Sequence, residues 1–211
     1  MIIAIESAST DLSVALHDPS GPVGATSWTS ARRQSAELLP RLLELLDEHG
    51  RGLHDVRGVA VGMGPGSFTG LRVAMALAKG IALARRVPII GVPSLGAWLE
   101  AEPGARAAVT RAGARDAYVL DRGDPAARIV DRDDLEQVLG DGPLVASSEL
   151  VDAFGLAAAT APHGAAAAVA RMAQDRLVDA PEGDDLSRLE PIYLRAPRGV
   201  PDGQPGAVKW L

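Results

Sequence analysis

No cysteine occurs among the 211 residues, which excludes disulfides, thiolate metal sites and any cysteine nucleophile. Aromatic residues are scarce at 3%, and lysine is confined to Lys79 and Lys209 against 19 arginines. Together with 37 alanines, that imbalance reads as compositional bias rather than chemistry. The opening Met1-Ile2-Ile3-Ala4-Ile5-Glu6 lacks both a basic region and a long apolar run, so nothing there resembles a secretory signal. The longest uncharged stretch, Ala153 to Ala170, is 18 residues of mostly alanine broken by Pro162 and His163, poor material for crossing a membrane. A soluble cytoplasmic chain with no membrane contact is expected. Positive charge is not in excess: residues 1–100 carry 9 acidic and 9 basic side chains, residues 101–211 carry 18 and 12, and the net is −6. Phosphate backbones call for a positive surface. This balance argues against a broad nucleic-acid footprint and leaves open a complex in which another subunit holds the nucleic acid.

What the chain does hold is apolar patterning, with 47% hydrophobic residues. Ile2 to Ile5, closing on Glu6, is a predicted strand. The polar turn Ser7-Ala8-Ser9-Thr10-Asp11 follows, and Leu12 to Leu16 alternates at period two. Asp18-Pro19-Ser20-Gly21-Pro22 signals a turn, and Val23 to Trp28 completes an antiparallel meander. A helix is predicted from about Ser35 to His49, with Ser35 as N-cap and Gly50 as its stop. Pro40 pushes the expected start toward Leu38 or Leu39. Leu38, Leu39, Leu42, Leu43, Leu45 and Leu46 cover an arc of about 160°, where one sheet needs a stripe of roughly 100°. A generously buried core helix and a leucine edge that meets another subunit both fit that arc.

Val56 to Val61 is the next predicted strand, running into a loop with four glycines: Gly62, Gly64, Gly66 and Gly70. A helix from Leu71 to Ala84 and a strand at Pro88 to Val92 follow, giving an α/β crossover and a mixed sheet. The helix is apolar nearly all round, with only Arg72 and Lys79 marking a polar stripe; Ala74, Ala76, Ala78, Gly80, Ala82 and Ala84 keep it slim. Glycines at a strand-to-helix junction permit close backbone approach, and a helix N-terminus favours anions. The detailed nucleotide motifs are nevertheless absent. Gly70 is followed by Leu71 rather than Lys-Ser/Thr, Thr69 stands where a dinucleotide loop has its third glycine, and Ser67 is not flanked as in a nucleophile elbow. On these residues a phosphate contact and a structural loop both remain open.

The run Gly64-Pro65-Gly66-Ser67-Phe68-Thr69-Gly70-Leu71-Arg72 resembles the signature of the TsaB (YeaZ) family, non-catalytic partner subunits in bacterial tRNA threonylcarbamoyladenosine synthesis. Ala4-Ile5-Glu6-Ser7-Ala8-Ser9-Thr10, Leu38-Leu39-Pro40, Pro88-Ile89-Ile90-Gly91-Val92 and Pro191-Ile192-Tyr193-Leu194-Arg195 resemble further segments of that family. The resemblance implies an α/β fold of the actin/sugar-kinase/Hsp70-like (ASKHA) class with mixed sheets flanked by helices. It implies two domains, an N-terminal one over 1–100 and a reduced C-terminal one over 101–197, while Gly199, Pro201, Gly203, Pro205 and Gly206 make 198–211 an expected flexible tail. It also implies a TsaD-like transferase subunit and a TsaE-like ATPase as partners, a homodimer when alone, and no cofactor or catalytic residue in this chain. Transfer of the threonylcarbamoyl group to tRNA adenosine would occur in the partner, and this chain would touch tRNA only through the complex. The expected partner interface is Leu38, Leu42, Leu45, Gly70, Arg72, Met75, Ala78, Lys79 and Ala82. The chain departs from the family at Glu6, where Asp is usual, at Gln34, where His is frequent, and at Arg111 to Tyr118, where an Asp and an Arg of the family pattern are lost.

The second half is read as strands at Ala105–Thr110, Ala117–Leu120, Arg128–Val130 and Leu144–Ala146, with helices at Asp133–Leu139 and Ala165–Val178. Pro181 to Asp185 is a predicted solvated acidic turn, and the terminal Trp210-Leu211 an exposed end. His17, His49, His54 and His163 are scattered without metal-ligand spacing, and Asp131, Asp133 and Asp134 read as solvated charge, so no metal is expected. Two other function classes stand behind the scaffold reading. An ATP-dependent phosphotransferase or ATPase would need a second phosphate loop, which is not found in the C-terminal half. A peptidase would need a base for Ser67, and none is recognisable.

Overall fold

The computed structural model describes residues 1–30, 33–156 and 159–194. The expected tail at 198–211, with Trp210 and Leu211, and the Arg195 that closes the Pro-x-Tyr-Leu-Arg segment lie outside the described residues.

Strand β1 (Ile2–Glu6) pairs antiparallel with β2 (Asp11–Asp18), which pairs antiparallel with β3 (Gly21–Thr29). On its other side β1 pairs parallel with β4 (Gly58–Gly62), and β4 with β5 (Ile89–Val92), so the sheet order is β3-β2-β1-β4-β5. Alternation sends Ile3, Ile5, Val59 and Val61 to one face and Ile2, Ala4 and Ala60 to the other, and both faces are covered. A central strand buried on both sides is apolar without a break, which is why β1 and β4 are buried at every position.

Helices α1 (Gln34–Glu48) and α2 (Phe68–Arg85) lie side by side on the first face. Two expectations change at α1. Arg33, not Ser35, is the capping position and makes no side-chain cap, and Pro40 sits inside the helix rather than near its start. Pro40 and Ala36, whose carbonyl loses its donor, are both exposed, so water can take that carbonyl. Helix α2 begins three residues earlier than predicted because the Ser67 hydroxyl accepts the Gly70 N–H at 3.2 Å, a side-chain cap.

The opposite face is covered by a helix from far down the chain. Residues Ala165–Asp179 (α6) place Ala166, Val169, Ala170 and Ala173 against β1, β2, β4 and β5. Sequence order grouped this helix with the C-terminal domain; packing assigns it to the first sheet. Its small side chains allow the close approach that Ala4, Ala15 and Ala60 offer from the strands.

Helix α3 (Ser94–Ala101) leads to a second sheet of β6 (Ala107–Arg111), β7 (Asp116–Asp121), β8 (Arg128–Asp131), β9 (Leu144–Ala146) and β10 (Ala159–Thr160). Helix α4 (Arg132–Leu139) precedes β9 and α5 (Ser148–Phe154) follows it. The order is β10-β9-β6-β7-β8, with β6-β7-β8 antiparallel and β6-β9-β10 parallel. Strand for strand, this repeats the first sheet. The two halves meet in an apolar seam of Ala8, Leu71, Leu95 and Trp98 with Ala105, Ala108, Tyr118 and Val145.

Candidate functional site

The glycine loop closes onto its own chain. Past β4, the Met63 N–H donates to the Val92 carbonyl at 2.8 Å, while the Gly64 N–H and carbonyl are bound by the hydroxyl and N–H of Ser94, each at 2.9 Å. Gly64 has φ +90, a left-handed conformation suited to glycine, and the Gly64–Pro65 peptide is cis. The Ser67 N–H donates to the Ala8 carbonyl at 2.6 Å. A Cβ at Gly66 would run into that same Ala8 carbonyl, and one at Gly70 into the carbonyl of Ser7. The Ser67 and Gly70 amides at this helix N-terminus are thus engaged by the Ala8 carbonyl and the Ser67 hydroxyl. The glycines of the loop serve close approach to the turn between β1 and β2, which favours the structural alternative. Thr69 lies exposed at the start of α2.

Glu6, at the end of β1, is fully buried beneath this loop. Its Oε1 accepts the Ala8 N–H at 2.7 Å, whereas Oε2 makes no well-formed hydrogen bond. Burial pushes its carboxyl up from the ordinary 4.5 to about 7, against the lowering effects of the Ala8 N–H, the nearby Ser94 hydroxyl and the Ser7 N–H. Gly62 leaves the space that the carboxylate fills. A carboxylate packed in this way is not presented to a nucleotide-bound metal. Among the described residues no three His, Asp or Glu side chains converge as a metal site. Ser67 is a helix cap with no histidine bonded to it.

The expected interface residues separate into two sets. Leu38, Leu42 and Leu45 of α1, and Gly70, Met75, Ala78 and Ala82 of α2, are buried within the chain's own core. Ala78 is 0% exposed in the cluster that holds Ile3, Ile5, Val59 and Val61, so it faces this protein's sheet and not a neighbour. The period-3.6 arc identifies an apolar helix, but the sheet claims its central stripe first. What remains outward is the arc's edge: Leu39 at 39%, Leu43 at 42% and, on α2, Leu83 at 69%, with Ala76 and Gly80 also exposed. Arg72 and Lys79 are half-buried on α2. Leu83 follows Ala76 by seven residues, a helical period that was available in the sequence.

A segment more than a hundred residues from the loop in sequence completes the surface. After α6, the Asp184 carboxylate accepts the Gly91 N–H at 2.8 Å and pairs with Arg176 at 2.6 Å, so the predicted solvated turn is anchored to β5. Residues 186–193 then run along α2. The Ile192 N–H donates to the Met63 carbonyl at 2.8 Å, Tyr193 packs on Phe68 with ring centroids 5.3 Å apart, and the Arg72 guanidinium lies 3.9 Å above the Phe68 ring. Between this strap and α2 is an open groove of about 380 Å³, floored by Met75, Leu186 and Leu189 with Lys79 at its side.

Comparison with known proteins extends this geometry. Residues 7–134 match the family model for TsaD, tRNA N6-adenosine threonylcarbamoyltransferase. The chain is 39% identical over 102 residues to the tRNA threonylcarbamoyladenosine biosynthesis protein TsaB of Escherichia coli, covering 46% of this chain and 44% of that one. The corresponding match to TsaB of Haemophilus influenzae covers 30% of its length, so the chain aligns with less than half of either relative. An uncharacterised protein of Mycobacterium tuberculosis is 32% identical over 189 residues, 85% of this chain and 83% of its own. Among solved structures, a Pseudomonas aeruginosa protein described as similar to peptidase YeaZ superposes with a TM-score of 0.69 at 25% identity, over 92% of this chain and 99% of that one. YeaZ from Pseudomonas aeruginosa gives 0.65 at 23% identity with the same coverage. Two mixed sheets flanked by helices are the ASKHA-like arrangement of those YeaZ structures.

Proposed function

Because the chain belongs to the TsaD family, on its TsaB/YeaZ side, we propose that it is a non-catalytic scaffold subunit that binds a TsaD-like transferase and supports threonylcarbamoylation of tRNA adenosine. The observation that carries this reading is the set of apolar side chains that α1 and α2 leave exposed, Leu39, Leu43 and Leu83, together with a glycine loop whose Ser67 and Gly70 amides are bonded within the chain. Apolar side chains grouped on one helical surface favour a protein contact. The interface therefore consists of these outward residues with Ala76, Gly80, Arg72 and Lys79, while Leu38, Leu42, Leu45, Gly70, Met75, Ala78 and Ala82 hold the helices in place from beneath. A TsaE-like ATPase joins the assembly, the chain pairs with itself when no partner is present, and tRNA is contacted through the transferase in the cytoplasm. Two-fold self-pairing is the commonest form of association for such a face.

Titration calorimetry of the chain against a TsaD-like transferase tests this. Binding that disappears in a Leu43→Asp, Leu83→Asp variant of unchanged melting temperature is the expected result. No binding by the unmodified chain, or ATP hydrolysis or threonylcarbamoyl transfer by the chain alone, would overturn it. Against the peptidase reading stands the chemistry at Ser67, whose hydroxyl caps α2 and, among the described residues, has no histidine bonded to it as a base.

A further inference from the structure

The turn between β1 and β2 grips two helix N-termini in different halves of the molecule. Its Ala8 carbonyl takes the Ser67 N–H at the head of α2. Asp11, the residue that ends this turn and opens β2, is 4% exposed and reaches across the seam to the head of α5. Oδ2 accepts the Ser148 N–H at 2.7 Å and Oδ1 accepts the Ser148 hydroxyl at 2.7 Å, joining residues 137 positions apart. Thr29 Oγ1 donates to Oδ1 at 3.3 Å, and the Asp11 N–H is held by Ser9 Oγ at 3.0 Å, so the carboxylate is oriented from its own side of the seam. The two sheets repeat one topology, in which the β4-to-α2 junction recurs as β9-to-α5. The first-half turn thus serves both copies. The equivalent turn of the second half, between β6 and β7, is bonded elsewhere: the Arg115 carbonyl accepts the Arg132 N–H at 2.7 Å, and the Gly113 carbonyl accepts Arg111 Nε at 2.6 Å.

Arg122, just past β7, donates locally to the Leu99 and Glu102 carbonyls at the end of α3, at 2.7 and 2.9 Å, and the body of the seam is apolar, centred on Trp98, Leu71, Leu95 and Tyr118. Hydrophobic contact holds two surfaces together without fixing their angle, whereas two short hydrogen bonds to one carboxylate are directional and charge-assisted. We propose that Asp11 is a latch: as an internal anion on the Ser148 N–H and hydroxyl, it locks the two sheets at one angle and holds the seam between them closed. The latch makes the two halves one rigid body, so that a partner bound to the first sheet meets a second sheet in a fixed position.

The absence of cysteine makes the test direct, because two introduced cysteines carry spin labels without background. Glu48→Cys on α1 and Asp152→Cys on α5 are exposed positions in the two halves. Double electron–electron resonance should give one narrow distance in the otherwise unmodified chain and a broadened distribution with Asp11→Ala. Exchange of the Ser148 amide should quicken by roughly 10- to 150-fold in the same variant, with β1 and β6 amides unchanged. Ser148→Ala, which removes one of the two bonds, should broaden the distribution less, and it carries the test if Asp11→Ala fails to fold. An unchanged distance width with unchanged Ser148 exchange overturns the latch. So does exchange that rises equally across both sheets, since Asp11 would then be a general stability residue.

Discussion

Tyr193 accepts a hydrogen bond from Arg72 Nε at 3.1 Å, joining the end of the described chain to the first turns of α2 across 121 residues of sequence. The Tyr193 ring also lies against Phe68, so one side chain secures the strap by a polar and an aromatic contact. Tyr193→Phe keeps the ring and should cost about 0.5–1.5 kcal/mol. Tyr193→Ala also loses the ring pair, worth about 0.5–1.5 kcal/mol more. Urea unfolding of the two variants checks the order; equal losses would mean that the hydroxyl holds the strap alone.

Ala78→Leu adds three heavy atoms to a fully buried site facing Ile3 and Val61. Overpacking of this kind costs about 1–3 kcal/mol, a fall in melting temperature of about 2–12 °C for a chain of this size. Calorimetric melting at fixed pH measures it. An unchanged melting point would return Ala78 to the partner surface.

Gly66→Ala and Gly80→Ala should move stability in opposite directions. At Gly66 the new methyl meets the Ala8 backbone, which cannot rotate away, so a loss of at least about 1 kcal/mol is expected. At Gly80 nothing lies within 4 Å, and alanine in an exposed helix interior should add about 0.5–1 kcal/mol. Paired denaturation curves decide both; destabilisation at Gly80 would show that the exposed side of α2 is misassigned.

Glu6 gives stability a pH dependence of unusual sign for a carboxylate. Its folded value is raised from 4.5 to about 7, so between these limits the native state holds a proton that the unfolded chain has released. Its contribution is greatest below about 4.5, declines as pH rises through the window, and is lost above about 7. Glu6→Gln should flatten this slope. Urea midpoints of the two proteins at pH 5, 6, 7 and 8 provide the comparison, and parallel curves would sink the assignment.

Local pattern made much of this molecule legible. The meander, the strand-loop-helix of the glycine signature, and the helices α1, α2, α4 and α6 follow from alternation, helical period and stop residues acting within a few positions of one another. His49 at the end of α1 fell where expected, its Nδ1 2.9 Å from the Leu45 carbonyl. Helices α3 and α5 were not legible. Ser94–Ala101 is buried on most sides and short, so it carries neither a polar face nor a side-chain cap.

By itself the sequence determined which segments are apolar, where the backbone needs glycine, and the family signature, because each is written in neighbouring residues. Only the tertiary structure decided that Leu38 and Leu42 turn inward while Leu39 and Leu43 stay out, since helical period fixes an arc and the sheet chooses its centre. It alone brought Ala8 to Ser67, α6 to the first sheet, and Asp11 to Ser148. Those contacts join residues tens to more than a hundred positions apart, and their geometry exists only once both sheets have formed.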